Sequence, residues 1–233
     1  MKKTVALLLA LALLLAAMPC ALAAESANSG RSRKQTKSAL PSAIEQLHDL
    51  GLDFTTDELA AMEAEYHCKA DALSLTDLLI MMGLGHYDYD SGEWTPFTHI
   101  VYSFDAEIFD IENMYTLFLQ GVQAVVPGIT ITDIREDLSG TTEEMTDPED
   151  GLHPPTDGMR SVSFLCNGHS YSVELASYGD WFNEDMFDFM DEVLAKENCP
   201  LVLYEFLGEM QYNICVYTTP ETAEQLNALI RPY

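Results

Sequence analysis

The sequence predicts an α+β protein: a small N-terminal helical subdomain followed by a mainly antiparallel sheet with helices packed on one face. Three observations carry this. Capped, partly amphipathic segments crowd residues 42–83. Strict alternation runs through Val162 to Leu175 around Asn167-Gly168, a strong hairpin signal. Helical and strand patterns then alternate to the C-terminus.

Taken in order, residues 1–23 carry Lys2 and Lys3, then an apolar run from Val5 to Met18, then Ala21-Leu22-Ala23. That is the pattern of a secretory signal cleaved near Ala23, too short and wrongly flanked for a membrane span. A lipoprotein signal needs a small residue before its cysteine, and Pro19 precedes Cys20. Residues 24–40 are rich in Ser, Ala and basic side chains and read as a flexible arm. Residues 41–95 read as the helical subdomain, with helices at 42–50, 55–67 and 74–83. Thr55 with Glu58 forms a capping box, and Ser74 with Asp77 repeats the pattern. Gly51 and Gly83 are expected helix stops.

Residues 96–233 read as the α+β domain. Residues 98–104 form a strand, 107–126 a buried helix with Ile108, Ile111, Tyr115, Phe118 and Val122 on one stripe, and 129–135 a strand. A loop follows at 138–158. In the hairpin, Val162, Phe164, Cys166, His169, Tyr171, Val173 and Leu175 share the core face. A helix at 181–196, capped by Asp180, precedes strands at 201–206 and 211–217 and a helix at 220–230. This order reads as two β-α-β-β halves, offset by about seventy residues, plus a C-terminal helix. Phe109 and Phe182 match in place between them.

Charge narrows the partners. The chain has 38 acidic and 11 basic residues, a net charge of −27. Arg31, Arg33, Lys34 and Lys37 sit in the arm. Beyond it only Lys69, Arg135, Arg160, Lys196 and Arg231 remain. An acidic body repels phosphate backbones and anionic lipid, so nucleic acid is excluded as a partner. Solubility outside the cell, divalent cations or a basic partner all fit. Cys68, Cys166, Cys199 and Cys215 allow two disulfides in three pairings, or buried thiols.

Two sets of residues carry candidate chemistry. Cys166 and His169 flank the two-residue turn and so oppose each other across the hairpin, a thiol beside a base. A small buried thiol beside an edge histidine is the plainer reading. His86 to Glu93 alternates acids before a glycine, so Asp88, Asp90 and Glu93 could offer oxygens to calcium. The same residues are good hairpin-turn chemistry. Weaker still are the loop acids Glu143, Glu144, Asp147, Glu149 and Asp150. Glu184, Asp185, Asp188, Asp191 and Glu192 read as a solvated helix face. The sequence has no HExxH, CxxC, GxSxG, Walker or GxGxxG motif.

The expectation is a secreted, acidic, non-catalytic binding protein whose partner is an extracellular protein or a cell-envelope component. Two alternatives stand beside it: an extracellular hydrolase using Cys166 and His169, and a calcium-stabilised surface protein.

Overall fold

Polar side chains start the N-terminal helices. In the structure, a computed structural model describing residues 41–88, 91, 93–108, 110–140, 158–207 and 211–230, helices α1 (Ala43–Asp49) and α2 (Thr56–Glu65) open with full capping boxes. Ser42 Oγ accepts from the Glu45 amide at 3.2 Å and Glu45 accepts from the Ser42 amide at 2.8 Å. Thr55 and Glu58 repeat this at 3.2 and 2.6 Å. Ser74 caps α3 (Leu75–Leu84) by accepting from the Asp77 amide at 3.1 Å. The signal, the arm, Asp90, Phe109 and the acids of the 138–158 loop lie outside the described residues.

Among the described residues eight strands and three further α-helices follow: β1 (His86–Asp88), β2 (Glu93–Thr95), β3 (Val101–Asp105), α4 (Met114–Val125), β4 (Ile131–Asp137), β5 (Met159–Cys166), β6 (His169–Ala176), α5 (Asp185–Lys196), β7 (Val202–Leu207), β8 (Tyr212–Thr218) and α6 (Pro220–Leu229). The class is α+β. Strands β1 and β2 form a ribbon, and the other six form two antiparallel sheets of order β3-β8-β7 and β4-β5-β6. No helix among the described residues is long and apolar enough to cross a membrane.

Two cores share the β3-β8-β7 sheet. On one face Tyr102, Phe104, Leu203 and Cys215 join α4, α5 and the inner side of β4-β5-β6. On the other face Val101, Phe206, Ile214 and Val216 join α1, α2, α3 and α6. Helices therefore cover this sheet on both faces. The β4-β5-β6 sheet has them on one, and Ser170, Ser172 and Glu174 face water, as the alternation of the hairpin implies.

The chain order is β3-α4-β4-β5, then β6-α5-β7-β8, then α6. Each half pairs its second and third strands and lends its first to the other half's sheet. Thus β3 joins β8 and β7, while β6 joins β5 and β4. Both central helices have 12 residues, and Met114 answers to Asp185 as Ile131 answers to Val202. That correspondence sets Phe182 against Ile111, not against Phe109.

Both central helices start later than their apolar patterns suggest. Glu107 and Trp181 instead form an isolated antiparallel bridge, with Ile108 N bonded to Asp180 O at 2.6 Å and Phe182 N to Ala106 O at 2.8 Å. Asp180 is therefore not a cap; a 3-10 turn at Ile111–Asn113 leads into α4 at Met114, and α5 begins at Asp185. The 107–126 and 181–196 helices are corrected accordingly.

Gly83 is not a helix stop either. It lies inside α3, and Gly85, at φ +66°, follows the end. A Cβ on Gly83 would fall 2.5 Å from the Ser103 amide nitrogen, and Ser103 Oγ donates to Ile80 O at 2.6 Å. Across the sheet, a Cβ on Gly121 of α4 would fall 2.3 Å from the Tyr102 ring. Strand β3 is thus gripped from both sides at positions without side chains.

Glu136 of β4 and Arg160 of β5 meet at 3.4 Å with 3% and 2% of their side chains exposed. Glu136 accepts from the Thr116 amide at 2.7 Å in the first turn of α4. Arg160 donates to Ile111 O at 2.8 Å and lies over the Tyr115 ring, 5.4 Å from its centroid.

Two stability outcomes follow, each read by urea unfolding. Gly83→Ala should destabilise by about 1–3 kcal/mol through overpacking, although alanine favours an isolated helix by roughly 1 kcal/mol. Arg160→Met should cost about 3–5 kcal/mol near neutral pH, because it strands a buried carboxylate. Burial raises the Glu136 pKa, so that loss should shrink in acid as the carboxyl takes a proton; an unchanged loss would show that only packing was removed.

Candidate functional site

Asn167 and Gly168 take φ of +50° and +85°, the left-handed pair that a tight hairpin turn requires. The turn sets the register Cys166↔His169, Phe164↔Tyr171 and Val162↔Val173. Asn167 is fixed from outside, its Oδ1 accepting from the Thr130 amide at 2.9 Å.

Glu197, just past the end of α5, meets this turn. Its Oε1 lies 2.9 Å from His169 Nδ1 and accepts from the Tyr171 hydroxyl at 2.5 Å. These two hydrogen bonds, Tyr171's first, hold the Glu197 pKa below the ordinary carboxylate range. Donating to Glu197 in turn carries the Tyr171 phenol up to about 12. The structure thus brings Cys166 and His169 together and adds an orienting carboxylate.

Cys166 itself is placed differently from a nucleophile. It is fully buried in the core, while His169 is exposed. Burial first, then the Glu197 carboxylate and Cys199, push its thiol up to about 11. A thiol nucleophile works as the thiolate and needs the opposite shift. None of Cys68, Cys166, Cys199 and Cys215 is in a disulfide.

In the β1-β2 ribbon, Asp88 and Glu93 face each other in register. The Ser91 amide donates to Asp88 Oδ1 at 3.4 Å, and the Glu93 amide donates to Ser91 Oγ at 3.3 Å, which is turn chemistry. Among the described residues no group of three His, Cys, Asp or Glu side chains gathers as metal ligands. Beside the ribbon, Asp57, Glu58, His86 and Phe97 help line an open cleft of about 440 Å³.

The acidic face of α5 is only partly a solvated surface. Asp191 accepts from the Leu203 amide at 2.9 Å and ties α5 to β7. Burial raises its pKa despite that bond.

Sequence reasoning missed Glu205. It lies on β7 opposite Cys215 of β8. Its Oε1, and Oδ1 of the buried Asn213, have no hydrogen-bond partner among the described residues. Burial, with a smaller push from Glu184, raises the Glu205 pKa to about 7. The residue sits in the alternating pattern of an ordinary strand, where one acid among many gives no local signal.

No protein-family model, curated protein or solved structure matches the chain.

Unfolding returns Glu205 to the ordinary carboxylate range, so the folded state binds the proton more tightly. Stability from this group is full below the unfolded pKa and is lost as pH rises towards about 7. Glu205→Gln should therefore raise the melting temperature near pH 8 and change it little near about pH 4. An equal effect at both pH values would place that carboxylate in water.

Proposed function

We propose that the chain is an exported, non-catalytic binding protein whose acidic surface receives a cationic partner outside the cell or in its envelope. The observation that supports this best is the fate of the few basic side chains. Among the described residues they are Lys69, Arg135, Arg160 and Lys196. Arg160 is buried against Glu136, Lys69 is 2.5 Å from Glu63, and Lys196 is 3.4 Å from Glu192. The outward field is therefore strongly negative, which favours and steers a partner of opposite sign. Residues 24–40 carry the contrasting basic cluster and suit attachment to an anionic cell wall.

The hydrolase reading keeps one supporting contact, the bond from His169 to Glu197. Its weakness is the buried thiol. Thiol labelling separates the two. In the folded protein at neutral pH, Cys166 should react only on unfolding; rapid labelling would favour the hydrolase. For the binding role, lysines in place of Glu184, just before α5, and of Asp188 and Glu192 on it should abolish salt-sensitive capture of a partner from envelope extract. Capture that survives this charge reversal would move the binding face elsewhere.

A further inference from the structure

We propose that Met62, Cys68 and Met81 form a binding site for a soft monovalent metal ion, copper(I) in particular. The three sulfurs come from separate parts of the helical region. Met62 is on the inner face of α2 and fully buried. Cys68 follows the end of α2, where His67 turns the chain at φ +51°. Met81 belongs to α3. The Cys68 Sγ lies 3.6 Å from Met62 Sδ and 3.8 Å from Met81 Sδ.

Those distances match two of the three sulfur–sulfur edges of a trigonal metal centre. A metal–sulfur bond of about 2.3 Å in a trigonal plane holds its sulfurs roughly 4 Å apart. The two observed separations fall short of that by a few tenths of an ångström, so a small outward movement admits the ion. Methionine side chains adapt easily to such changes. Cys68 and Met81 are half-buried, which gives the ion an approach, while Met62 closes the inner side.

The donor types select the metal. One thiolate with two thioethers is a soft set that prefers copper(I) and disfavours calcium, magnesium and other oxygen-seeking ions. Binding takes up Cu⁺ and releases the Cys68 thiol proton to water, with no change in oxidation state. The net charge of the site is then zero, which a half-buried apolar pocket accommodates better than a bare cation.

The test is an anaerobic titration of the purified full exported protein with copper(I), in competition with a chromophoric copper(I) chelator. The wild type should withdraw one ion per chain, with a near-ultraviolet thiolate-to-copper absorption. Cys68→Ser should abolish both. Met62→Leu and Met81→Leu should each weaken binding by roughly tenfold or more, since even loss of an outer partner of a metal ligand costs about 10–100-fold. Leucine conserves volume, and the half-exposed Met81 keeps the test decisive if the Met62 variant does not fold. No withdrawal of copper, equal withdrawal by Cys68→Ser, or full affinity in Met81→Leu would overturn the site and leave the three sulfurs as core packing.

Discussion

Helix α4 begins on a carboxylate that is not its own. The residue before it, Asn113, makes no capping bond with its side chain. Glu136 of β4, twenty residues beyond Thr116, accepts from the Thr116 amide instead. Such a carboxylate meets the positive end of the helix dipole, but its burial is costly without a partner. Arg160 supplies that partner, and its second hydrogen bond, to Ile111 O, holds the turn leading into the helix. One buried pair therefore fixes three things together: the start of α4, the edge strand β4, and the ring of Tyr115. The Tyr115 hydroxyl then accepts from the Asn183 amide, which reaches the approach to α5.

The topology makes this dependence general. Each sheet consists of a hairpin from one half and a first strand from the other. Neither half can complete its sheet alone, so the aromatic cluster of Phe104, Phe118, Phe182 and Phe187 closes only when both are present. Folding of the two halves should be cooperative on these grounds. The grip on β3 tightens the coupling. Gly83 and Gly121 allow helices to approach both of its faces, and it has only five residues to receive them.

What was legible in the sequence was local. Capping pairs act over three residues, and Asn167-Gly168 is a turn within itself; the helix starts at 43, 56 and 75 and the whole hairpin register follow from them. What was not legible depends on distant segments. Glu107, Ile108, Trp181 and Phe182 have helical spacing but lie in non-helical backbone that bonds to the other half of the chain. Gly83 has the composition of a stop, but its role is set by a strand twenty residues away. The candidate site divides in the same way. The opposition of Cys166 and His169 is written in the turn, whereas Glu197, Glu205 and the Glu136–Arg160 pair are set by tertiary contacts.

The same division bears on the acidity. Many carboxylates are structural acceptors and not simply solvated charge. Glu45, Glu58, Glu63, Asp105, Glu136, Asp137 and Asp191 each accept a backbone amide hydrogen bond. In Glu45 and Asp137 these bonds lower the pKa, and in Glu63 Lys69 first and then the amide bond do so, whereas in Asp105, Glu136 and Asp191 burial outweighs them and raises it. A chain with so few cations lacks ion pairs enough to offset its charge, and amide donors take part of that load. Glu184, just before α5, and Asp188 and Glu192 on it remain outward. Lys196 offsets Glu192 in part; the repulsion among the rest works against the compact state unless something positive lies against them, and that asymmetry is the physical reason to look for a cationic partner there.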